Sequence, residues 1–130
     1  MTRTGIKAAL TDLIFNRDLT VEEAADQHFT SEYRQRTDGQ WDDRAASIEH
    51  TTHVRGLVAE GRVEVHDELY EGSKYADRHT VYITKKDGST VTTEVYVFAD
   101  LAPDGRFSRI EETTLMLQGS DADRNIGSAR

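Results

Sequence analysis

The sequence predicts an α+β domain in which helices of the first half pack against an antiparallel sheet built by the second half. Three observations support this class. Residues 1–60 carry apolar side chains at helical spacing, residues 62–119 alternate apolar and polar side chains, and short turn sequences interrupt that second run three times. One face of the sheet and one face of each helix must then be buried against each other, which gives a layered α+β architecture.

Spacing and capping residues predict three helices in the first half. The first helix is short, ends before residues 16–19, and has a stripe of four apolar residues, which are Ile6, Leu10, Leu13 and Ile14. Thr20 and Glu23 form the capping box that opens the second helix, because each side chain reaches the backbone N–H of the other residue. The third helix is predicted from residue 41 to about residue 60, and Gly61 ends it.

The first two turns set the pairing of the first three strands. Gly72 and Ser73 suit a two-residue type II′ hairpin, which places Asp67 opposite Arg78. The second turn contains the dipeptide Asp-Gly at residues 87–88, which is typical of a two-residue type I′ turn. This register places Val97 beside Arg78, on the next strand along.

The last turn sets the position of the fourth strand. The loop at residues 103–105 contains Pro-Asp-Gly and is predicted to have three residues, with glycine in the left-handed region. Glu111 then lies opposite Val97, and Glu112 lies opposite Tyr96. A change of one residue in this loop exchanges the two glutamates between faces, so which of them points inward stays open.

These registers divide the sheet into two unlike faces. The first face is mainly apolar, is expected to meet the helices, and carries one row of charges, which are Asp67, Arg78 and Glu111. The second face is mixed and carries a different polar row, which is His66, His79, Tyr96 and Glu112. The fold therefore buries the first face and leaves the second face outside.

Composition excludes several classes of function. The chain has 130 residues, 24 acidic against 16 basic side chains and a net charge of -8, which argues against nucleic-acid binding. It has no cysteine, and the sequence contains no apolar stretch long enough for a membrane span or a signal peptide. We expect a cytoplasmic protein with one domain at residues 1–119 and a tail at residues 120–130.

Four segments resemble the NTF2-like superfamily, and within it the SnoaL-like, polyketide cyclase-like branch. They are HFTSEYRQRTDG, HVRGLV, RVEVHDELYEGSKYADRHTV and EVYVFADLAPDGRFSRIEETTLMLQG. The resemblance implies a cone, in which a curved antiparallel or mixed sheet wraps three N-terminal helices around an apolar pocket. It also implies a homodimer that uses the outer sheet face. Known activities of such proteins include ketosteroid isomerase, polyketide cyclase, epoxide hydrolase and dehydratase.

The match to the active sites of this superfamily is partial. The arginine of its epoxide hydrolases corresponds to Arg78, but Thr80 stands where those enzymes have an acid. The strand acid of its ketosteroid isomerases falls near Val97, and their base falls near residues 36–38. The acid on the last strand of its polyketide cyclases corresponds to Glu111 or Glu112. These differences count against isomerase and epoxide hydrolase chemistry and leave cyclase-like chemistry open.

The expected function is binding of a small hydrophobic molecule, with cofactor-free acid/base catalysis of the cyclase, isomerase or hydrolase type. Glu111 is the predicted acid or base, and Arg78 and Asp67 position it or the substrate. The same three residues also suit a purely structural salt bridge across the strands. The alternative function is therefore a non-catalytic ligand-binding or protein-interaction module.

The remaining candidates are aromatic residues and histidines. We expect the substrate pocket to be lined by His53, Tyr33, Trp41, Tyr82 and Val97. His50 and His53 have the spacing of a metal pair, but the sequence offers no third ligand at matching spacing, so no metal is predicted. The row of His66, His79, Tyr96 and Glu112 is predicted to form the dimer interface. If Glu112 instead points inward, a catalytic role becomes the better interpretation of that row.

Overall fold

The computed structural model describes residues 3–124 and contains helices and a sheet in the predicted layers. The helices are α1 (Ile6–Leu10), a π-helix (Thr11–Phe15), α2 (Val21–His28), α3 (Arg44–Leu57) and a short 3-10 helix (Asp121–Asp123). The strands are β1 (Phe29–Thr37), β2 (Gln40–Asp43), β3 (Val58–Glu71), β4 (Lys74–Lys85), β5 (Thr90–Leu101) and β6 (Phe107–Gln118). The predicted α+β class and cone-shaped arrangement are confirmed.

The described strands form one sheet in the order β2-β1-β6-β5-β4-β3. β1 pairs with β6 in parallel, and every other neighbouring pair is antiparallel. The chain therefore enters the sheet at β1, leaves it through α3, and returns along the predicted four-strand meander. No helix within residues 3–124 is both long and apolar enough to cross a membrane.

The first two helices follow their sequence signals. Both hydrogen bonds of the predicted capping box form, from the Glu23 N–H to Thr20 Oγ1 at 3.0 Å and from the Thr20 N–H to Glu23 Oε1 at 2.9 Å. The first helix continues as a π-helix, whose end is held by the Arg55 guanidinium. This group donates to four carbonyl oxygens, those of Asp12, Leu13, Asn16 and Leu19. The contact fixes the end of the π-helix to α3.

The prediction that residues 1–60 are helical is wrong for β1 and β2, which form a hairpin. Asp38 and Gly39 have φ angles of 50° and 88°, as a type I′ turn requires, and Asp-Gly is a favoured sequence for that turn. α3 begins after this hairpin, where Asp43 Oδ1 accepts a hydrogen bond from the Ala46 N–H at 2.9 Å. Trp41 therefore lies in β2 rather than at the start of the helix.

The predicted end of the third helix is also wrong, because β3 begins at Val58. Gly61 lies within this strand, opposite Ile83. A Cβ atom at Gly61 would lie 2.2 Å from the Tyr82 carbonyl oxygen and 2.5 Å from the Phe15 ring. The glycine therefore permits close packing between the strand and the π-helix.

The register of the first hairpin is confirmed near its turn, and the register of the second is wrong by one residue. Asp67 pairs with Arg78 as predicted. The second turn has three loop residues at 86–88, with Gly88 at φ 88°, and the Lys85 N–H bonds the Ser89 carbonyl oxygen at 2.8 Å. Arg78 therefore pairs with Tyr96 instead of Val97.

The last loop has the predicted three residues, yet the register beyond it also differs by one. Ala102 and Arg106 close the loop, but the pairing shifts between Asp100 and Leu101, where Ser108 is the extra residue of a β-bulge. Val97 consequently pairs with Glu112. Because of these two one-residue changes, the side chains of β4, and those of β6 beyond the bulge, point to the opposite faces from those predicted.

The face assignment of six predicted site residues is corrected by these registers. The inner face carries His79 and Glu112, which were predicted at the outer interface. The outer face carries the predicted interior row of Asp67, Arg78 and Glu111, and Tyr82 also lies there. Buried apolar residues of β5 keep their predicted inward side, and they are Val91, Val95, Val97, Ala99 and Leu101.

Part of the predicted tail packs on the domain. Asp123 in the 3-10 helix accepts a hydrogen bond from Lys85 Nζ at 2.7 Å and is buried. Residues 125–130 of the predicted tail lie outside the described residues. The boundary at residue 119 stays a prediction.

Candidate acid/base site inside the cone

A cavity of about 100 Å³ lies between the helices and the inner face of the sheet. Its walls are mainly aliphatic, with Ile6, Leu10 and Leu13 on the helical side and Val81, Val95 and Ile110 on the sheet side. Polar side chains reach it from only a few strand and helix positions, chiefly Tyr33, Gln35, His50, His79 and Glu112. Among residues 3–124, the lining contains no lysine and no arginine. An apolar cavity with few polar groups is the usual form of a small-molecule site.

His79 is one of the two most enclosed ionisable residues of this lining, together with Tyr33. It is 1% exposed, and its Nδ1 lies 3.0 and 3.1 Å from the two carboxyl oxygens of Asp77. The two residues are two positions apart on β4, so both side chains point to the inner face. In the neutral imidazole the Nδ1–H donates to the Asp77 carboxylate, which leaves Nε2 as the nitrogen that accepts a proton.

The Tyr75 hydroxyl shares its single proton between Asp77 and Glu68. The Tyr75 hydroxyl lies 3.1 Å from Asp77 Oδ2 and 2.6 Å from Glu68 Oε2, and it accepts a hydrogen bond from the Ile6 N–H at 3.1 Å. Burial, followed by the hydrogen bond to Glu68, raises the pKa of Tyr75 and keeps it a neutral donor. The same hydroxyl thus connects the first turn of α1 to the carboxylate that orients His79.

Glu112 enters the cavity from β6. The residue is partly buried, and it lines the cavity. This burial, followed by the negative charges of Asp38 and Asp77, raises the pKa of Glu112 to about 8. The carboxyl group is therefore mostly protonated at neutral pH and can donate a proton. Asp77, Val97 and Glu112 are successive partners across β4, β5 and β6, so the two acids lie about 10 Å apart along the sheet.

The β1–β2 turn lies beside Glu112. The Asp38 carboxylate accepts hydrogen bonds from the Thr114 N–H at 2.8 Å and from the Thr114 hydroxyl, and the Asp38 N–H donates to the Glu112 carbonyl oxygen at 3.0 Å. These bonds fix the turn to β6. They also hold a negative charge next to the glutamate, which contributes to its raised pKa.

A polar chain follows the inner face of β1. The Tyr33 hydroxyl donates to Gln35 Oε1 at 2.9 Å, and Gln35 Nε2 donates to Thr37 Oγ1 at 3.2 Å. Burial, then Glu112 and Asp42, raises the pKa of Tyr33 well above its ordinary value, which keeps its hydroxyl protonated. The Tyr33 ring stacks on Phe29 with a centroid separation of 3.8 Å. The cavity therefore has one wall of fixed hydrogen-bonding groups facing an aliphatic wall.

The predicted row of Asp67, Arg78 and Glu111 lies outside this cavity. Arg78 Nε bonds Asp67 Oδ2 at 3.2 Å, and Arg78 Nη1 lies 3.6 Å from Glu94. The Asp67 side chain is 73% exposed, so water screens the pair. By position, the acid/base role predicted for Glu111 fits Glu112 instead.

Of the five predicted pocket residues, only Tyr33 lines the cavity. His53 is exposed on α3, and Trp41 is exposed beneath the Arg34 guanidinium. Tyr82 lies on the outer face, where its hydroxyl donates to Glu64 at 3.1 Å. Val97 is buried between Asp77 and Glu112 without lining the cavity.

The predicted interface row is divided between the two faces. His79 and Glu112 lie inside, Tyr96 is half-exposed on the outer face, and His66 bonds the Thr80 hydroxyl at 2.7 Å. No group of three or more His, Cys, Asp or Glu residues in the described chain is arranged to hold a metal ion.

Sequence reasoning missed Asp77 and Gln35. The signal for Asp77 was present, because an acid two residues before a histidine on a strand must share its face. Gln35 was missed because the segment containing it was not recognised as a strand, although Asp38-Gly39 is a hairpin turn sequence.

Comparison with known proteins finds one sequence relative and many similar folds. An uncharacterized protein of Schizosaccharomyces pombe is 31% identical over 101 residues, which cover 78% of this chain and 77% of that protein. No family model matches the sequence.

Three solved structures illustrate the fold. An NTF2-like protein of unknown function from Exiguobacterium sp. 255-15 matches with a TM-score of 0.64 and 21% identity over 82% of this chain and 95% of the other. A Catenulispora acidiphila protein with a ketosteroid isomerase-like fold, in complex with trimethylamine, matches with a TM-score of 0.62 and 9% identity over 85% of each chain. The epoxide hydrolase/cyclase-like enzyme SalBIII has a role in pyran ring formation in salinomycin. It matches with a TM-score of 0.57 and 18% identity over 67% of this chain and 72% of its own.

Proposed function

The chain belongs to the same family as the Schizosaccharomyces pombe protein and has the fold of NTF2-like proteins, and from this premise we propose a function for its cavity. The protein binds a small, mostly apolar molecule inside the cone. It transfers a proton on that molecule by cofactor-free acid/base catalysis, with His79 as base and Glu112 as acid. Asp77 is the positioning residue that orients His79.

One observation carries this proposal: a histidine oriented by a buried carboxylate and a glutamate with a pKa of about 8 share one apolar cavity. General acid/base catalysis works best when the pKa of the catalytic group is close to the working pH. Two ionisable groups in different environments can divide the roles of acid and base between them. The geometry therefore favours proton transfer over hydrolysis by a nucleophile.

The proposed reaction begins when His79 Nε2 removes a proton from a carbon next to a carbonyl group. The C–H electron pair becomes the C=C bond of an enol, and the carbonyl oxygen takes the proton of Glu112. When the substrate has a C=C bond next to that carbon, the enol is a dienol, and return of the His79 proton to the far carbon of the dienol, with recovery of the hydroxyl proton by Glu112, moves the C=C bond and isomerises the substrate. When the substrate has a second carbonyl group, attack of the enol carbon on that group instead forms a C–C bond and closes a ring. The His79 proton then passes to the second oxygen, and the enol hydroxyl proton returns to Glu112 as the first carbonyl group re-forms. Both routes balance without an oxidant or reductant.

The similar structures agree with these two outcomes without choosing between them. One has a ketosteroid isomerase-like fold, and another is an epoxide hydrolase/cyclase-like enzyme of ring formation. Their low identity to this chain limits the comparison to the fold.

Exchange of the α-hydrogens of cyclohexanone in D₂O tests the proposal. Wild-type protein should accelerate deuterium uptake, and H79Q and E112Q should each lower the accelerated rate about 10²-fold or more, as is usual for the loss of a catalytic acid or base. The exposed His53 supplies the matched control, because H53Q should keep the wild-type rate. Binding of cyclohexanone with only the buffer rate of exchange would favour the non-catalytic ligand-binding module instead.

We also propose that a second copy of this chain covers the outer sheet face. The face exposes large apolar side chains, with Leu69 70%, Phe98 72%, Tyr96 50% and Leu115 56% accessible. Such a patch is unusual on a monomer, and neighbouring charges of both signs allow two identical faces to pair about a two-fold axis. F98D should give a monomer by light scattering, whereas L57D, which alters an exposed leucine on α3, should leave a dimer. A monomeric wild-type protein would contradict the proposal.

A further inference from the structure

The amide of Gln35 is held in the cavity wall from both sides. Tyr33 and Thr37, which bond it, are each 1% exposed, and the Tyr33 ring is clamped by its stack on Phe29. Because its neighbours on the strand are fixed, the amide group has little freedom to rotate. A group fixed before the ligand arrives loses little entropy on binding.

The hydrogen-bonding capacity of this amide is only half used. A primary amide has two N–H donors and two oxygen lone pairs. Tyr33 and Thr37 occupy one donor and one lone pair, whichever way the amide is turned. One N–H therefore remains, and Gln35 lines the cavity where a ligand would accept it.

The register places this amide beside Glu112. Thr37 pairs with Glu112 in the parallel ladder of β1 and β6, and Gln35 pairs with Ile110. Gln35 and Glu112 are therefore diagonal neighbours on the same inner face of adjacent strands. Side chains at such positions lie about 7 Å apart at their bases, within the reach of a glutamine and a glutamate that converge on one atom.

The charge of the lining limits the ligand that this pair accepts. Within the described residues the cavity wall has no lysine or arginine, and Glu112 is the one acidic side chain that lines it. A carboxylate or phosphate ligand would find no lysine or arginine to pair with, and an unpaired charge is costly in an apolar cavity. An uncharged ligand with one oxygen acceptor meets no such cost.

We propose that Gln35 is a substrate-binding residue, and that its free N–H and the Glu112 carboxyl group donate to the same carbonyl oxygen of an uncharged substrate. This inference rests on the proposed function, because the enol oxygen formed there is the atom that the two donors would stabilise. The cavity volume of about 100 Å³ suits a substrate whose enclosed part is similar to a six-membered ring.

Cyclohexanone labelled with ¹³C at its carbonyl carbon is the probe for this pair. Wild-type protein should bind it with a C=O stretching band shifted to lower frequency than in an apolar solvent. Q35L removes one donor, so it should weaken binding about tenfold and move the band back toward higher frequency. H53Q is the control, because His53 is exposed on α3 and does not line the cavity, and it should change binding less than about twofold.

The outcomes separate this inference from the function on which it rests. Wild-type affinity and an unchanged band in Q35L, with exchange still accelerated by the wild type, would overturn the role of Gln35 and leave the proposed function intact. Absence of both binding and accelerated exchange in the wild type would overturn the two together. If Q35L fails to fold by circular dichroism, Q35N replaces it, since a shorter side chain withdraws the N–H while keeping an amide.

Discussion

Acidic residues on opposite faces of the same sheet are of the same types and have very different properties. The inner face carries Asp77 and Glu112, and the outer face carries Asp67, which pairs with Arg78, and Glu111, which pairs with Phe98. Asp77 has a fully buried side chain with two fixed donors, whereas Asp67 is 73% exposed and paired with one arginine. Chemical type therefore says little about the role of these acids, and the face on which they lie decides it.

The first and largest predicted effect compares a new charge on the inner face of the sheet with a new charge on the outer face. V97D buries a carboxylate at a site that is 3% exposed, so it should lower the free energy of unfolding by about 3–5 kcal/mol or prevent folding. F98D, at the next residue, alters a side chain that is 72% exposed and should leave the stability of the subunit nearly unchanged. Urea denaturation of both variants measures the difference, and equal stability would overturn the assignment of faces.

The second prediction compares the two adjacent glutamates through pH. The folded state holds the Glu112 proton with a pKa of about 8, against an ordinary value of 4.5. The folded protein therefore binds more protons than the unfolded chain between these values, so stability should fall as pH rises from 4.5 to 8, by on the order of a few kcal/mol. E112Q should remove this loss and be the more stable protein at pH 9.

The neighbouring glutamate provides the control for that experiment. E111Q should still lose stability as pH rises from 4.5 to 8, because it keeps Glu112 on the inner face. Denaturant midpoints measured from pH 4 to pH 9 test both variants. The same slope in wild type and E112Q would mean that the pKa of Glu112 is not raised in the folded protein.

The third and smallest effect compares the two aspartates. D77N exchanges a carboxylate that accepts from both Tyr75 and His79, so one of those bonds should be lost, at about 1–3 kcal/mol of stability. It should also disturb the ring nitrogen that faces the cavity, which ¹⁵N NMR of the histidine side chain reports. D67N should leave both the stability and the His79 signals unchanged, because Asp67 is mostly exposed.

The sequence predicted the layers, the capping box and the first hairpin, because these depend on local spacing and turn residues. It did not predict the faces of β4 and β6. The loop at residues 86–88 is one residue longer than the two-residue turn that Asp-Gly predicts. Ser108 adds a β-bulge to β6 that no local sequence pattern predicts.

The sequence predicted the type of site, which is an acid on the last strand facing an apolar pocket, but it did not predict most of the residues that form it. An acid on the last strand was expected, and the one-residue ambiguity between Glu111 and Glu112 was visible from the loop. The pairing of Asp77 with His79 follows from alternation along a strand once the face is known. The role of Gln35 required a strand at residues 29–37, which composition alone did not indicate because polar residues fill most of its outer side.

The protonation state of the Glu112 carboxyl group decides whether this residue can act as the acid of the cavity. Protein labelled with ¹³C at the glutamate side chains can be titrated by NMR, with E112Q used to assign the signal. We predict a midpoint near pH 8 that rises further when cyclohexanone binds, because the ligand accepts the proton of the neutral acid. A midpoint near the ordinary value of 4.5, unaffected by cyclohexanone, would contradict this prediction.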